Sequence, residues 1–252
     1  MNVCFLADKT DFATQAFNIL KKRYGQTSMT KADVVVVLGG DGFMLQKLHD
    51  KTLAGKPFYG MNCGTIGFLL NRFSTDDLFE RIETAKPIAL KPLKMTAVCA
   101  NGKAHEGLAF NEVSLLRRTR QAAEIQISVD GMTKLPKLVC DGVLVSTPAG
   151  STAYNSSVHG PILPLTSNVL ALTPVSAFRP RRWHGALLPE SAEVRFDVLE
   201  AQKRPVSAVA DFTEIKNVHA VTVRQEKNVS VNLLFDADYS LEDRVLNEQF
   251  LT

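Results

Sequence analysis

The sequence has little cysteine and no long apolar run, and each shortage removes a class of protein. Cys4, Cys63, Cys99 and Cys140 are its four cysteines. They are scattered and form no CxxC pair, which argues against a structural zinc site or a disulfide framework and for reduced thiols. No apolar stretch reaches the roughly 20 residues that a spanning helix needs, so no membrane partner is expected. The start, Met1-Asn2-Val3-Cys4-Phe5-Leu6-Ala7-Asp8, meets an acid too early for a signal peptide, and a cytoplasmic location is expected. The histidines (His49, His105, His159, His184, His219) show no HxH or HxxxH spacing, so no protein-held metal centre is expected. Charge of one sign is lacking too: 29 Lys and Arg face 26 Asp and Glu, for a net +3. Arg117-Arg118-Thr119-Arg120 reads as the exposed end of a strand, and Arg179-Pro180-Arg181-Arg182-Trp183-His184 as a solvated loop. Neither run is long enough for a nucleic-acid footprint, whereas a mildly basic chain suits a small anionic ligand.

What is present has the size and composition of a globular protein. A chain of 252 residues makes one large or two ordinary domains. Val3–Ala7 reads as a strand and 11–23 as a helix whose apolar face carries Phe12, Ala16, Ile19 and Leu20. A second strand, Val34-Val35-Val36-Val37-Leu38, runs into Gly39-Gly40-Asp41-Gly42 and a short helix to about His49. A third strand, 58–61, leads to Asn62-Cys63-Gly64-Thr65-Ile66-Gly67-Phe68-Leu69, and Ser74-Thr75-Asp76-Asp77 can cap a helix to about Thr84. This β-α-β-α-β-α order argues for a parallel sheet with ligands beyond the carboxyl ends of its strands.

The composition shifts at about 86–92. Strands are then expected at 95–100, 108–116, 125–129, 138–146, 194–199, 206–210, 219–224 and 229–235. Asn101-Gly102 and Asp130-Gly131 are hairpin turns by sequence, and a helix is expected near 152–158. The fold class is therefore α/β plus β: an N-terminal parallel α/β domain over 1–92, then a β-rich, sandwich-like domain over 93–252. Residues 236–251 read as a terminal amphipathic helix or ordered tail that can pack back on the first domain.

Three stretches carry chemistry. Gly39, Gly40 and Gly42 let backbone N–H groups approach a phosphate, and a following helix N-terminus adds positive potential. Asp41 is out of place beside phosphate unless it meets a metal or accepts a hydroxyl proton; the bland reading is a βα turn with Asp41 as N-cap. The stretch is neither GxxxxGK[ST] nor GxGxxG. Asn111-Glu112 interrupts an apolar strand, so at least one of the two faces inward and needs a partner. Asp141-Gly142 opens a strand that ends in Ser146-Thr147-Pro148-Ala149-Gly150-Ser151-Thr152-Ala153-Tyr154-Asn155-Ser156-Ser157. Its amides and hydroxyls suit a ribose or phosphate, and Tyr154 can stack on a base. GxSxG is missing, so no hydrolase elbow is present.

Taken together, Gly39-Gly40-Asp41-Gly42, the Gly60–Leu69 stretch, Asn111-Glu112, Asp141-Gly142 and Ser146–Tyr154 resemble the NAD kinase family in its bacterial, minimal-length form. Gly-Gly-Asp-Gly alone is shared with lipid kinases of the diacylglycerol type; the Thr-Pro-x-Gly-Ser-Thr-Ala-Tyr stretch is more specific. The resemblance implies transfer of the ATP γ-phosphoryl group to the adenosine-ribose 2′-hydroxyl of NAD. NAD would bind between the domains, often at a subunit interface. It implies Mg²⁺ or Mn²⁺ carried mainly by the ATP phosphates, and a homodimer or homotetramer. Asp41 matches the catalytic acid, the base for that hydroxyl. NAD-binding positions match Asp41, Gly42, Phe68, Asn111, Glu112, Asp141, Ala149, Thr152, Ala153, Tyr154, Asn155, Ser156, Ser157 and, more loosely, Asp211. Gly39, Gly40 and Gly42 match the phosphate-binding turn. Phe43 and Ala149 depart from the usual polar residues of the family. The competing readings are a lipid kinase sharing the glycine turn and a non-catalytic NAD(P)-binding sensor.

Overall fold

The computed structural model describes residues 1–65 and 67–237. Its elements begin with β1 (Val3–Ala7), α1 (Asp11–Tyr24), β2 (Val34–Gly39), α2 (Asp41–Leu48), β3 (Phe58–Asn62), α3 (Leu78–Thr84) and β4 (Lys86–Leu90). There follow β5 (Leu93–Cys99), β6 (Ala104–Ala109), β7 (Glu112–Arg117), β8 (Ala123–Val129), β9 (Met132–Cys140) and β10 (Gly142–Ser146). A 3₁₀ turn (Ala149–Thr152) and α4 (Tyr154–Ser157) lead to β11 (Val169–Val175), β12 (Ala186–Pro189) and β13 (Val194–Val198). The last strands are β14 (Val206–Ala210), β15 (Thr213–Lys216), β16 (Val218–Gln225) and β17 (Val231–Phe235). The chain forms two compact units, one of residues Met1–Leu90 with Ser230 onward, the other of Lys91–Val229.

The first unit is built on a five-stranded sheet of order β1-β2-β3-β17-β4. β1, β2, β3 and β17 run parallel, and β4 is antiparallel at the edge. β2 is buried along its whole length. Val34, Val36 and Leu38 pack with Ala13, Ala16 and Leu20 of α1 and with Leu78 and Ile82 of α3. Val35 and Val37, on the other face, are buried as well. Both faces are covered, as a parallel sheet requires, and each fully buried valine or leucine stabilises the fold by about 1.5–3 kcal/mol. The β2–α2 turn therefore stands at the carboxyl end of a central strand.

Two expectations for this unit change. The buried face of α1 is Ala13, Ala16 and Leu20, while Phe12 and Ile19 are about half exposed, at 47% and 51%. A helix close to a sheet buries its small residues and leaves the larger flank outside. The strand expected at 229–235 is β17, and it belongs to this parallel sheet rather than to the β-rich part of the chain. Hydropathy marks a strand but carries no information about which sheet receives it. The tail expected at 236–251 lies outside the described residues from position 238 onward.

The second unit is a two-sheet structure of order β12-β11-β10-β7-β14-β15 and β6-β5-β16-β13-β8-β9. One hydrophobic core joins them, with Leu93, Met95 and Phe196 from one sheet and Val113, Val143 and Leu172 from the other. Both hairpin turns read from the sequence are present: Asn101-Gly102 joins β5 to β6, and Asp130-Gly131 joins β8 to β9. Asp130 and Gly131 both have positive φ, at 51° and 76°, which suits a tight two-residue hairpin turn. The single strand expected over 108–116 is instead β6 and β7, broken at Phe110-Asn111; that expected over 138–146 is β9 and β10, broken at Asp141. In each case the chain passes from one sheet to the other at the break. β4, β11, β12 and β15 were not expected as strands. Among the described residues no helix is long and apolar enough to cross a membrane.

Candidate functional site

In the first unit, β2 ends at Gly39, Gly40 is the residue before α2, and Asp41 is the first residue of that helix. Asp41 is thus inside the helix and not its N-cap, and Gly40 provides no side-chain cap. Gly39 is close-packed: a Cβ there would come within 2.9 Å of Phe43 Cδ1 and 3.2 Å of Asp8 Cβ. Gly40 and Gly42 have open space instead, and Gly42 is exposed. Phe43 has a packing role, lying against Gly39 with Lys47 Nζ 4.7 Å from its ring centroid.

The loop after β3 closes over this turn. Cys63 N–H donates to Gly39 O at 2.9 Å, and Asn62 Oδ1 accepts from Gly64 N–H at 2.8 Å. Further on, Phe68 N–H donates to Asp41 Oδ2 at 2.7 Å and Leu69 N–H to Asp41 Oδ1 at 2.9 Å. One backbone donor on each carboxylate oxygen fixes the plane of the group. Charge-assisted bonds of this kind are the strong ones. Phe68 is thus beside Asp41 through its backbone, and its side chain is half-buried. Gly39, Gly40, Asp41, Gly42 and Phe68 form one cluster.

In the second unit, Asn111 and Glu112 sit at the β6-to-β7 break. Asp211, after β14, has a left-handed φ of 46°, and its carboxylate accepts the N–H groups of Phe110 (2.7 Å), Asn111 (3.1 Å) and Glu112 (3.3 Å). Asp211 therefore holds the backbone of the break. Asn111 Oδ1 and Glu112 Oε2 are buried and accept no hydrogen bond from the described residues. Such atoms are rare in folded proteins and call for a donor from elsewhere. Burial first, and the charge of Asp211 second, push the Glu112 carboxyl up to about 7.

The 146–157 segment lies on the same break. Thr147 N–H donates to Asn111 O at 2.9 Å, and Thr147 Oγ1 donates to Phe110 O at 2.6 Å while accepting from Gly150 N–H at 3.1 Å. The approach is so close that a Cβ on Gly150 would stand 2.2 Å from Asn111 O. Ala149 is buried; Thr152, Ala153, Tyr154 and Ser156 are half-buried, and Ser157 is exposed. Asn155 is fully buried. Its Nδ2 donates to Ser151 O (3.2 Å) and Pro161 O (2.9 Å), and its Oδ1 accepts from Thr173 Oγ1 (2.7 Å). Its carboxamide shapes the segment from within. Asp141, at the far end of β10, pairs with Arg117 at 2.5 Å. Burial, then the charges of Glu112 and Asp141, raise the Tyr154 phenol, so that this ring lies within the field of both acids. Asn111, Glu112, Asp211 and 146–157 thus form a second cluster, with Asp141 at its margin.

Sequence reading missed two residues that hold the first cluster in place, Asn71 and Asp236; Asn71 alone of the two gave a signal, a polar residue directly after Phe68-Leu69-Leu70. Among the described residues no group of three or more His, Cys, Asp or Glu is placed to hold a metal ion.

Comparison with known proteins gives one consistent result. Residues 110–231 match the family model of the ATP-NAD kinase C-terminal domain. The NAD kinase of Caulobacter vibrioides is 55% identical over 238 residues, covering 94% of this chain and 92% of that protein. The NAD kinase of Mesorhizobium japonicum is 54% identical over 249 residues, covering 99% and 97%. Among solved structures, yeast NADH kinase complexed with NADH aligns over 98% of this chain and 86% of its own, with a TM-score of 0.83 at 19% identity. An NAD kinase from Archaeoglobus fulgidus in complex with ATP aligns over 98% and 96%, with a TM-score of 0.76 at 21% identity. At such identities these two likenesses concern the fold.

Proposed function

The chain belongs to the NAD kinase family, and on that footing we propose that it transfers the γ-phosphoryl group of ATP to the 2′-hydroxyl of the adenosine ribose of NAD, giving NADP and ADP. The observation that carries this reading is the Asp41 carboxylate, fixed by two amides on a glycine turn at the carboxyl end of a central parallel strand. Asp41 takes the proton of the 2′-hydroxyl as that oxygen bonds to phosphorus and the bond to the ADP oxygen breaks. A ribose hydroxyl is a weak acid, so a positioned base contributes about 10²–10⁴-fold. Gly40 and Gly42 leave room for the donor phosphates beside the N-terminus of α2, while Gly39 lets the turn pack against Phe43 and Asp8.

NAD is held by the second cluster. Asn111 Oδ1 and Glu112 Oε2 are acceptors waiting for donors, and the amino group of an adenine or the hydroxyls of a ribose supply them. Tyr154 offers its ring, and Ala149, Thr152, Ala153, Ser156 and Ser157 supply the surrounding backbone and hydroxyl surface; Asn155 and Asp211 hold that surface in shape. A divalent cation, Mg²⁺ or Mn²⁺, would be carried mainly by the triphosphate, with Asp41 the carboxylate available to it, which fits the preference of Mg²⁺ for one or two carboxylates plus phosphate oxygens. It would neutralise charge on the transferred group. The enzyme works in the cytoplasm as a homodimer or homotetramer, and light scattering on the purified protein tests the assembly.

Purified protein mixed with NAD, ATP and Mg²⁺ is expected to form NADP. Absence of NADP would remove this reading. Phosphorylation of diacylglycerol instead would favour a lipid kinase, a reading that leaves the Thr147–Tyr154 segment without a task. NAD binding without turnover would favour a sensor.

A further inference from the structure

The loop that supplies the two amides to Asp41 is anchored by the far end of the chain. Asn71, which ends that loop, is fully buried, and its backbone bonds with β3: its N–H donates to Gly60 O at 2.8 Å and its carbonyl accepts from Asn62 N–H at 2.9 Å. Its side chain does the same with the end of β17. Asn71 Nδ2 donates to Leu234 O, and Asn71 Oδ1 accepts from Asp236 N–H, both at 2.9 Å. The carboxamide so continues the ladder between the loop and the returning strand.

Asp236 is itself held from three sides. Its carboxylate accepts from the Tyr59 hydroxyl and from Arg81 Nη2 at 2.6 Å, and Arg81 Nη2 also donates to Arg72 O at 2.9 Å. The Arg81 guanidinium stands 5.6 Å from the centre of the Tyr59 ring. Asp236 is 8% exposed, so this is a buried charge with its partners in place. Leu70, between the amide donors and Asn71, is buried where a Cβ on Gly60 would reach its Cδ2 at 2.3 Å.

Resting on the assignment of Asp41 as the base, we propose that Asn71 and Asp236 are positioning residues for the reaction: they fix the amides of Phe68 and Leu69, which in turn fix the Asp41 carboxylate. Near-attack geometry tolerates little error, and a displacement of about 1 Å can cost 10²-fold in rate. Loosening the amides would also withdraw donors that favour the ionised carboxylate.

The test uses the full-length protein with NAD, ATP and Mg²⁺. Asn71→Leu keeps the branching at Cγ, is somewhat larger, and removes both side-chain bonds. Its kcat is expected to fall about 10- to 100-fold with the KM for NAD within twofold of wild type. The acid limb of its kcat–pH profile is expected to move to higher pH, a change that a merely structural residue would not produce. Tyr59→Phe removes one support of Asp236 and is expected to show a smaller shift of the acid limb in the same direction. If Asn71→Leu does not fold, Tyr59→Phe decides. A folded variant with the wild-type acid limb and kcat, or a loss confined to KM, overturns the proposal. Asp41→Asn separates the two levels. If it retains wild-type turnover, the base assignment itself falls. If it is inactive while the folded Asn71 and Tyr59 variants are unchanged, only the positioning role falls.

Discussion

The Asp211 carboxylate accepts the backbone N–H of Glu112 and so stands beside a second acid. Burial and then this neighbour push the Glu112 carboxyl up to about 7, from an ordinary value of 4.5. The native state therefore binds a proton more tightly than the unfolded chain, and the stability tied to this group is complete below about 4.5 and lost as pH rises through about 7. A shift of this size corresponds to about 3 kcal/mol. Glu112→Gln is expected to be more stable than wild type at pH 8 by up to that amount and about equal to it at pH 4. Urea melts at the two pH values measure the difference, and equal differences at both would refute the assignment. Asp211→Asn should shift the pH at which the difference appears downward by only part of this interval, because burial is the larger cause.

Asp41→Ala is expected to lower kcat by about 10²–10⁴-fold while NAD binding largely survives. Steady-state turnover paired with calorimetric NAD titration checks both halves. Undiminished turnover would remove Asp41 from the mechanism.

Two glycines separate close approach to backbone from close approach to side chains. At Gly150 the added methyl of alanine meets the carbonyl of Asn111 at 2.2 Å; at Gly60 it meets the ends of Leu70 and Met44, at 2.3 and 2.5 Å. Side-chain ends can turn aside and a carbonyl cannot, so overpacking costs more at Gly150, within a usual range of about 1–3 kcal/mol. Gly150→Ala is expected to have the lower Tm of the two and to raise the KM for NAD, since the displaced residue precedes Glu112. A Gly60→Ala protein with the lower Tm would contradict this.

Asn155→Leu leaves the Pro161 carbonyl and the Thr173 hydroxyl without the partners that Asn155 gives them. Each buried group so stranded costs about 1–3 kcal/mol. Thermal melts should show the loss, and Thr173→Val in the same background should recover part of it by removing one stranded hydroxyl. No recovery would mean that the Thr173 bond carries little.

Much of the fold was legible because its signals are local. Strand β2 was readable from four consecutive valines and its end from the glycines that follow. The Asp130-Gly131 hairpin was readable because positive φ at both positions is a property of the turn residues themselves. The breaks at Phe110-Asn111 and Asp141 were not readable, since an apolar run looks the same whether it stays in one sheet or changes to another. The same holds for Glu112. Its place in the sequence said that it needed a partner, but which acid faces it depends on Asp211, about 100 residues further on in the chain.

By itself the sequence determined the glycine turn with its acid, the parallel βα pattern around it, the antiparallel strands after it, and the motifs that mark the family. These depend on backbone propensities and on spacing within a few residues. Only the tertiary structure decided what holds Asp41: amides from a loop 27 and 28 positions later, closed by Asn71 against a strand that returns more than 160 residues downstream. Hydrogen bonds of that separation form only after hydrophobic burial has brought the strands side by side, and no local pattern in the chain encodes which distant groups then meet.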